Sequence, residues 1–153
     1  MNKRQLIAKL ETAWSALEES FAGLTDEQMN QPGVTGDWSV TDILGHVTAW
    51  EEEALKHLPH ILEGKRPPRY SVLYGGIDAF NALKTKENRE RSLAEVLAHA
   101  SEIHSQLVAY IAAAPDELIT TETRFRRRIR LDTYSHYPIH TQAIREWRGA
   151  QGI

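Results

Sequence analysis

The chain has 153 residues, 41% of them apolar and 25% charged, with a formal net charge of −3. That balance fits one globular domain spanning 1–153 and excludes a disordered chain, while the acidic total argues against nucleic acid as a partner. There is no cysteine, which excludes disulfides, thiolate ligands and a protein-borne thiol nucleophile.

The N-terminal stretch lacks the apolar run of a signal peptide, and no run approaches the ~20 apolar residues that span a bilayer, so a soluble, cytoplasmic protein without a membrane partner is expected. Leu6, Leu10, Trp14, Leu17 and Phe21 recur at steps of four, four, three and four, predicting a first helix from about Asn2 to Phe21. Thr25 to Gln28 reads as a capping box opening a short turn, and 31–36 as a loop. Ser39 caps a second long helix whose buried stripe is Ile43, Val47, Trp50 and Ala54, with Pro59 expected to kink or end it. Tyr70 to Gly76 reads as a surface loop, and Asp78 to Glu90 as a helical arm without an evident attachment. Ser92 and Glu95 form another capping box. They open a helix with a face of Leu93, Leu97, Ala100, His104, Leu107 and Ile111. Arg124 to Arg130 places Phe125, Arg127, Ile129 and Leu131 at alternate positions, which predicts an extended, irregular strand. A last helix runs to about Arg148; with Ser135 as its cap Pro138 falls in the first turn, and a kink at Pro138 is the alternative. The chain is therefore predicted to be all-α: a four-helix bundle with one long crossover and short accessory helices, a scaffold able to hold a metal between helices.

Three histidines stand out. His136 and His140 lie one helical turn apart on one face, so both rings can reach one ion. His46 lies about 60° from the Ile43 stripe of the second helix, at the edge of its buried face. A lone inward histidine is ordinarily a hydrogen-bonded core residue, but three together bury imidazoles that a shared metal would satisfy. His104 reads as a core histidine bonded to a neighbour, with a fourth ligand or a substrate contact as the alternative. His57, His60 and His99 read as solvated, with Glu53 and His57 as an alternative i,i+4 pair. Asp42 is either a helix-start charge or a carboxylate orienting His46. Glu51 points about 140° from His46 and makes a poor general base, and Tyr137 is expected at the surface.

The stretch from Trp38 to Glu51, with His46 near its centre, resembles the first motif of the DinB-like superfamily. The run His136-Tyr-Pro-Ile-His140 resembles the second. Ile77 to Asn81, Arg91 to Leu97 and the closing run to Arg148 are similar to the ClbS/DfsB branch. The resemblance covers nearly the whole chain in order. It implies a four-helix bundle, often a homodimer, with a three-histidine site at His46, His136 and His140 for zinc, nickel or iron. Relatives include thiol-dependent transferases and a self-resistance protein that opens a reactive cyclopropane.

Three neutral imidazoles would leave a divalent ion at least one open position, where water or a substrate thiol becomes a nucleophile near neutral pH. The leading expectation is a metal-dependent enzyme acting on a small electrophilic or thiol-containing molecule. The alternative is a bundle that binds or sequesters a metal or ligand without turnover. The arginine run reads as a solvated edge rather than a nucleic-acid surface, with steering of an anionic substrate as a middle case.

Overall fold

The computed structural model describes residues 1–153, and every regular element in it is helical. The elements are α1 (Lys3–Phe21), α2 (Asp26–Met29), α3 (Val40–Leu62), α4 (Tyr70–Leu73), α5 (Ile77–Asn88), α6 (Leu93–Ala113), α7 (Glu117–Thr120), α8 (Arg124–Asp132) and α9 (Tyr137–Gln151). No helix is long and apolar enough to cross a membrane.

The local signals act as capping chemistry requires. Asn2, Thr25, Ser39 and Ser92 each accept a hydrogen bond from the amide three residues on. The side chain at that third position accepts one in return from the cap amide, so two orphan donors are satisfied at each start. The long helices α1, α3, α6 and α9 share one core that includes Leu6, Leu17, Ile43, Val47, Leu107, Ile111, Ile144 and Trp147. α3 is the central element. Every residue from Val40 to Ala49 is buried, because α5, α6, α8 and α9 all pack against it.

Four expectations are corrected. α8 is a helix, not a strand: its buried residues are Phe125, Ile129 and Asp132, spaced by four and three. The Thr123 hydroxyl caps it by accepting from the Arg126 amide at 3.1 Å. Arginine is a strong helix former, and the two-residue alternation held only because exposed Leu131 was counted as core. α3 does not end at Pro59 but runs three residues beyond it, to Leu62, the packing of its long buried face outweighing the one backbone bond that the proline removes. Residues 70–73 form one helical turn rather than a loop. On α6 Ala100, His104, Leu107 and Ile111 are buried as their spacing predicts, but the face also carries Val96 and Ile103 while Leu97 is exposed, a rotation of about 30° from the predicted stripe.

The arm of unknown attachment docks on α3. Arg89, just past α5, forms a two-pronged pair with Asp42, with Nε and Nη2 each 3.1 Å from a carboxylate oxygen. Asn88 lies so close to α3 that a Cβ at Gly45 would sit 2.6 Å from its side-chain nitrogen. Only glycine permits this approach.

Candidate metal centre

His46 reaches the site from the second turn of α3, and its ring lies 4.6 Å, centroid to centroid, from that of Trp38. His140 lies in the first turns of α9. His136 is the N-cap of that helix, one position later than the predicted cap Ser135, because the Thr133 carbonyl accepts from both the His136 and Tyr137 amides at 2.8 Å. Pro138 then falls in the first turn, where its missing N–H leaves nothing unsatisfied.

These three segments bring three ring nitrogens together. His136 Nε2 lies 3.0 Å from His46 Nε2 and 3.0 Å from His140 Nε2, and all three lie within 4.8 Å of one another. Each nitrogen has one lone pair or one proton to offer. One proton on His136 can satisfy one neighbour at most, so some tautomer conflict remains unless a cation sits among the three. The opposite nitrogens, Nδ1 of His136 and of His140, are buried without a protein partner. Only the Nε2 side can fix these rings.

Burial lowers the pKa of all three rings from the usual 6.5. His46 falls to about 3, with His136 and His140 adding to the effect of burial, and His136 falls to about 3 with His140 contributing. Burial alone brings His140 to about 4. All three are therefore neutral at pH 7 and present lone pairs. A cluster of three neutral imidazoles suits a borderline ion such as zinc, nickel or iron better than calcium or magnesium, which prefer oxygen. The residues fit the group expected of them.

A cavity of about 440 Å³ opens against His46 and His136, with walls from Trp50, Tyr70, Ile77, Asn81 and Leu131. Its charged residues are Arg128 and Asp132. Arg128 Nε donates to Asp132 Oδ2 at 2.5 Å, and Arg128 Nη2 donates to the Tyr70 hydroxyl at 2.8 Å. Burial outweighs the attraction of Arg128 and raises the Asp132 pKa to about 6. Trp50 Nε1 donates to Asn81 Oδ1 at 2.9 Å, fixing the amide at the cavity wall. The sequence marks Arg128 only as one of the arginine run and gives no sign of Asp132, Tyr70 or Asn81 as site residues. α5 and α8 come together here only through their packing on α3, which no local pattern reveals.

The other candidates fall elsewhere. His104 is buried and bonded as a core histidine, to Glu51 and Glu11. Glu51 and Tyr137 are both fully buried beside it, against the expectation that Tyr137 lies at the surface. Asp42 binds Arg89 and the Ser39 amide, so it caps a helix and anchors α5 rather than orienting His46. His57 is buried, contrary to the solvated reading, and its Nε2 lies 3.6 Å from Glu53. His99 pairs with Glu52, and His60 is exposed.

With this geometry in place, the family model of the DinB superfamily matches residues 9–142. The chain belongs to the DinB superfamily. Within it, the fold is similar to that of DfsB, described as a sibling lethal factor precursor. That structure gives a TM-score of 0.83 at 17% identity, covering 99% of this chain and 97% of DfsB. ClbS, a colibactin self-resistance protein solved with double-stranded DNA, gives 0.74 at 21% identity over 95% and 94% of the two chains. An uncharacterised protein from Escherichia coli UTI89 gives 0.80 at 17% identity over 99% and 95%. At these identities the likeness is one of fold. Comparison with curated proteins by sequence finds no match.

Proposed function

We propose that this DinB-superfamily protein is a metal-dependent enzyme acting on a small electrophilic or thiol-containing molecule, by hydrolysis or thiol transfer. His46, His136 and His140 would hold a divalent ion. The observation that carries the reading is the meeting of three neutral Nε2 atoms, those of buried His46 and His140 and half-buried His136, beside a cavity of small-molecule size. A bound ion would act as a Lewis acid and lower the pKa of water or thiol.

The chain's own groups divide the remaining work. Trp50, Tyr70, Ile77 and Leu131 supply apolar walls against which the carbon skeleton of a small molecule can pack. Asn81 spends its Oδ1 on Trp50, leaving amide donors to orient a polar group. Asp132, held by Arg128, is a carboxylate within the same cavity that can take a proton from a bound nucleophile. The reading includes one domain over 1–153, a homodimer and a cytoplasmic location.

The test is elemental analysis of the purified protein beside His46→Ala and His140→Ala. It is followed by assays of the loaded protein with a small thiol plus an activated aryl halide, and with an activated ester. One equivalent of zinc, nickel or iron in the parent, lost in both variants, together with steady turnover, supports the enzyme. One equivalent of metal without turnover on any substrate favours the alternative, a bundle that sequesters a metal or ligand. A parent that takes up no metal overturns the enzyme and leaves the bundle that binds a ligand without metal.

A further inference from the structure

A second cavity, of about 460 Å³, adjoins the first and shares Tyr70, Arg128 and Leu131 with it. Its walls carry five arginines, Arg66, Arg69, Arg124, Arg127 and Arg128, and no carboxylate. They come from two separate segments: the exit from α3, stiffened by Pro67 and Pro68, and one face of α8.

The arginines of α8 divide by face. Arg126 and Arg130 turn to Glu122, at 3.6 Å and 3.2 Å, and share its single charge. Arg128 is held by Asp132. Arg124 donates to the Gly64 and Lys65 carbonyls at 3.4 Å, which pins the loop but cancels no charge. Arg66, Arg69 and Arg127 are exposed and have no acidic partner. In a chain of net charge −3 with 21 acidic residues, concentrating unpaired guanidinium groups in one concavity is not what even solvation of a surface gives. The like charges raise the local potential and would be relieved by an anion, for which the guanidinium fork is suited.

We infer that this arginine cavity is a subsite for an oxyanion group, phosphate or carboxylate, of a small molecule whose apolar end extends into the cavity beside His46 and His136. The inference rests on the proposed metal site only for where the reacting end lies. The size argues for a small ligand: each cavity lies within the ~300–1,000 Å³ typical of such sites. A duplex would need an extended basic stripe, and the net acidic chain opposes it.

The experiment is calorimetric titration of the metal-loaded protein with 1-naphthyl phosphate, 1-naphthoate and neutral 1-naphthol. Arg66→Ala/Arg127→Ala and His46→Ala are titrated in parallel, and a short DNA duplex serves as competitor. Both arginines are exposed and bonded to nothing in the chain, so the double variant keeps the parent's helical circular dichroism. The expected result is that at least one anion binds about tenfold or more tightly than naphthol. That preference falls about tenfold in the arginine variant and weakens with added salt. His46→Ala retains the anion preference even where it loses metal, which separates this subsite from the metal reading. The phosphate-to-carboxylate ratio then assigns the oxyanion. Equal binding of naphthol, an unchanged arginine variant, or loss of the preference in His46→Ala overturns the inference. So does a duplex that displaces the ligand and binds more tightly, which would make the groove a nucleic-acid surface.

Discussion

His104 Nδ1 donates to Glu51 Oε2 at 3.1 Å between α6 and α3, and Glu51 is completely buried. The same ring stacks on Trp14 at 3.9 Å, and its other nitrogen donates to Glu11. Burial alone would lower the His104 pKa, but Glu51 and Glu11 outweigh it and raise the value. Burial raises the Glu51 pKa in turn, and the His104 contact is the largest effect working against that rise, so the two groups hold the proton of the core between them. Removing one member strands the other, so His104→Leu should cost about 3–5 kcal/mol in urea unfolding. The double variant Glu51→Leu/His104→Leu removes both charges and should cost less than His104→Leu alone. A double variant that is the less stable of the two defeats this account.

The raised His104 pKa also sets a direction with pH. A base whose folded pKa exceeds its unfolded value of 6.5 adds stability that is full below 6.5 and is lost as pH rises through the folded value. Parent and double variant should therefore differ most in melting temperature at pH 6 and converge toward pH 9. A gap that widens with pH would contradict the assignment of the proton to His104.

The histidine cluster has the opposite sign. Its pKa values of about 3, 3 and 4 lie below 6.5, so without metal the unfolded chain binds more protons than the folded one. Their contribution is full above pH 6.5 and lost as pH falls toward 4. The metal-free parent should lose melting temperature over this window more steeply than His46→Gln/His140→Gln. Parallel curves would mean that the rings are protonated freely in the folded state.

The fold was largely legible because capping boxes and apolar steps of three and four are local signals, and Leu6, Leu10, Trp14 and Leu17 are buried as their spacing implies. The His136–His140 pair was legible for the same reason. Single-face reasoning failed on α3, where nearly the whole circumference is covered: Glu51 and Glu53, about 80° to either side of Ile43, lie outside its stripe and are buried nonetheless. Tyr137 was misplaced because the start of α9 is enclosed by α1 and α3, so a residue turned from one neighbour meets another. The meeting of Asp132, Arg128, Tyr70 and Asn81 depends on two helices docking on a third, a relationship between distant segments that no periodicity encodes.

Metal uptake should depend little on pH near neutrality. Imidazoles that are already neutral release few protons on binding, in contrast to free histidine, which loses ligand strength below about 6.5. Zinc affinity measured by competition with a chelator, corrected for the chelator's own protonation, should change less than about tenfold between pH 7.5 and 5.5. Simultaneous proton release of one or more equivalents at pH 7 would show that the folded rings titrate normally.

The docking of α5 on α3 provides a test remote from the cluster's own chemistry. A Cβ added at Gly45 would stand 2.6 Å from Asn88 Nδ2, 2.8 Å from Cγ and 3.0 Å from Cβ, so rotating the amide alone does not make room. Gly45→Ala must push the end of α5 outward, at about 1–3 kcal/mol, the range of core overpacking. The push acts against the Arg89–Asp42 pair and travels along α5 to Asn81 and Ile77 at the cavity wall. Gly45→Ala/Asn88→Gly removes the obstructing side chain and should recover much of the lost stability, apart from the ~1 kcal/mol that glycine costs near a helix end. The single variant should also weaken whatever ligand the cavity takes while leaving metal content unchanged, since His46, His136 and His140 come from α3 and the start of α9. If Gly45→Ala is as stable as the parent, α5 is not held at this distance and the cavity wall it forms is not fixed.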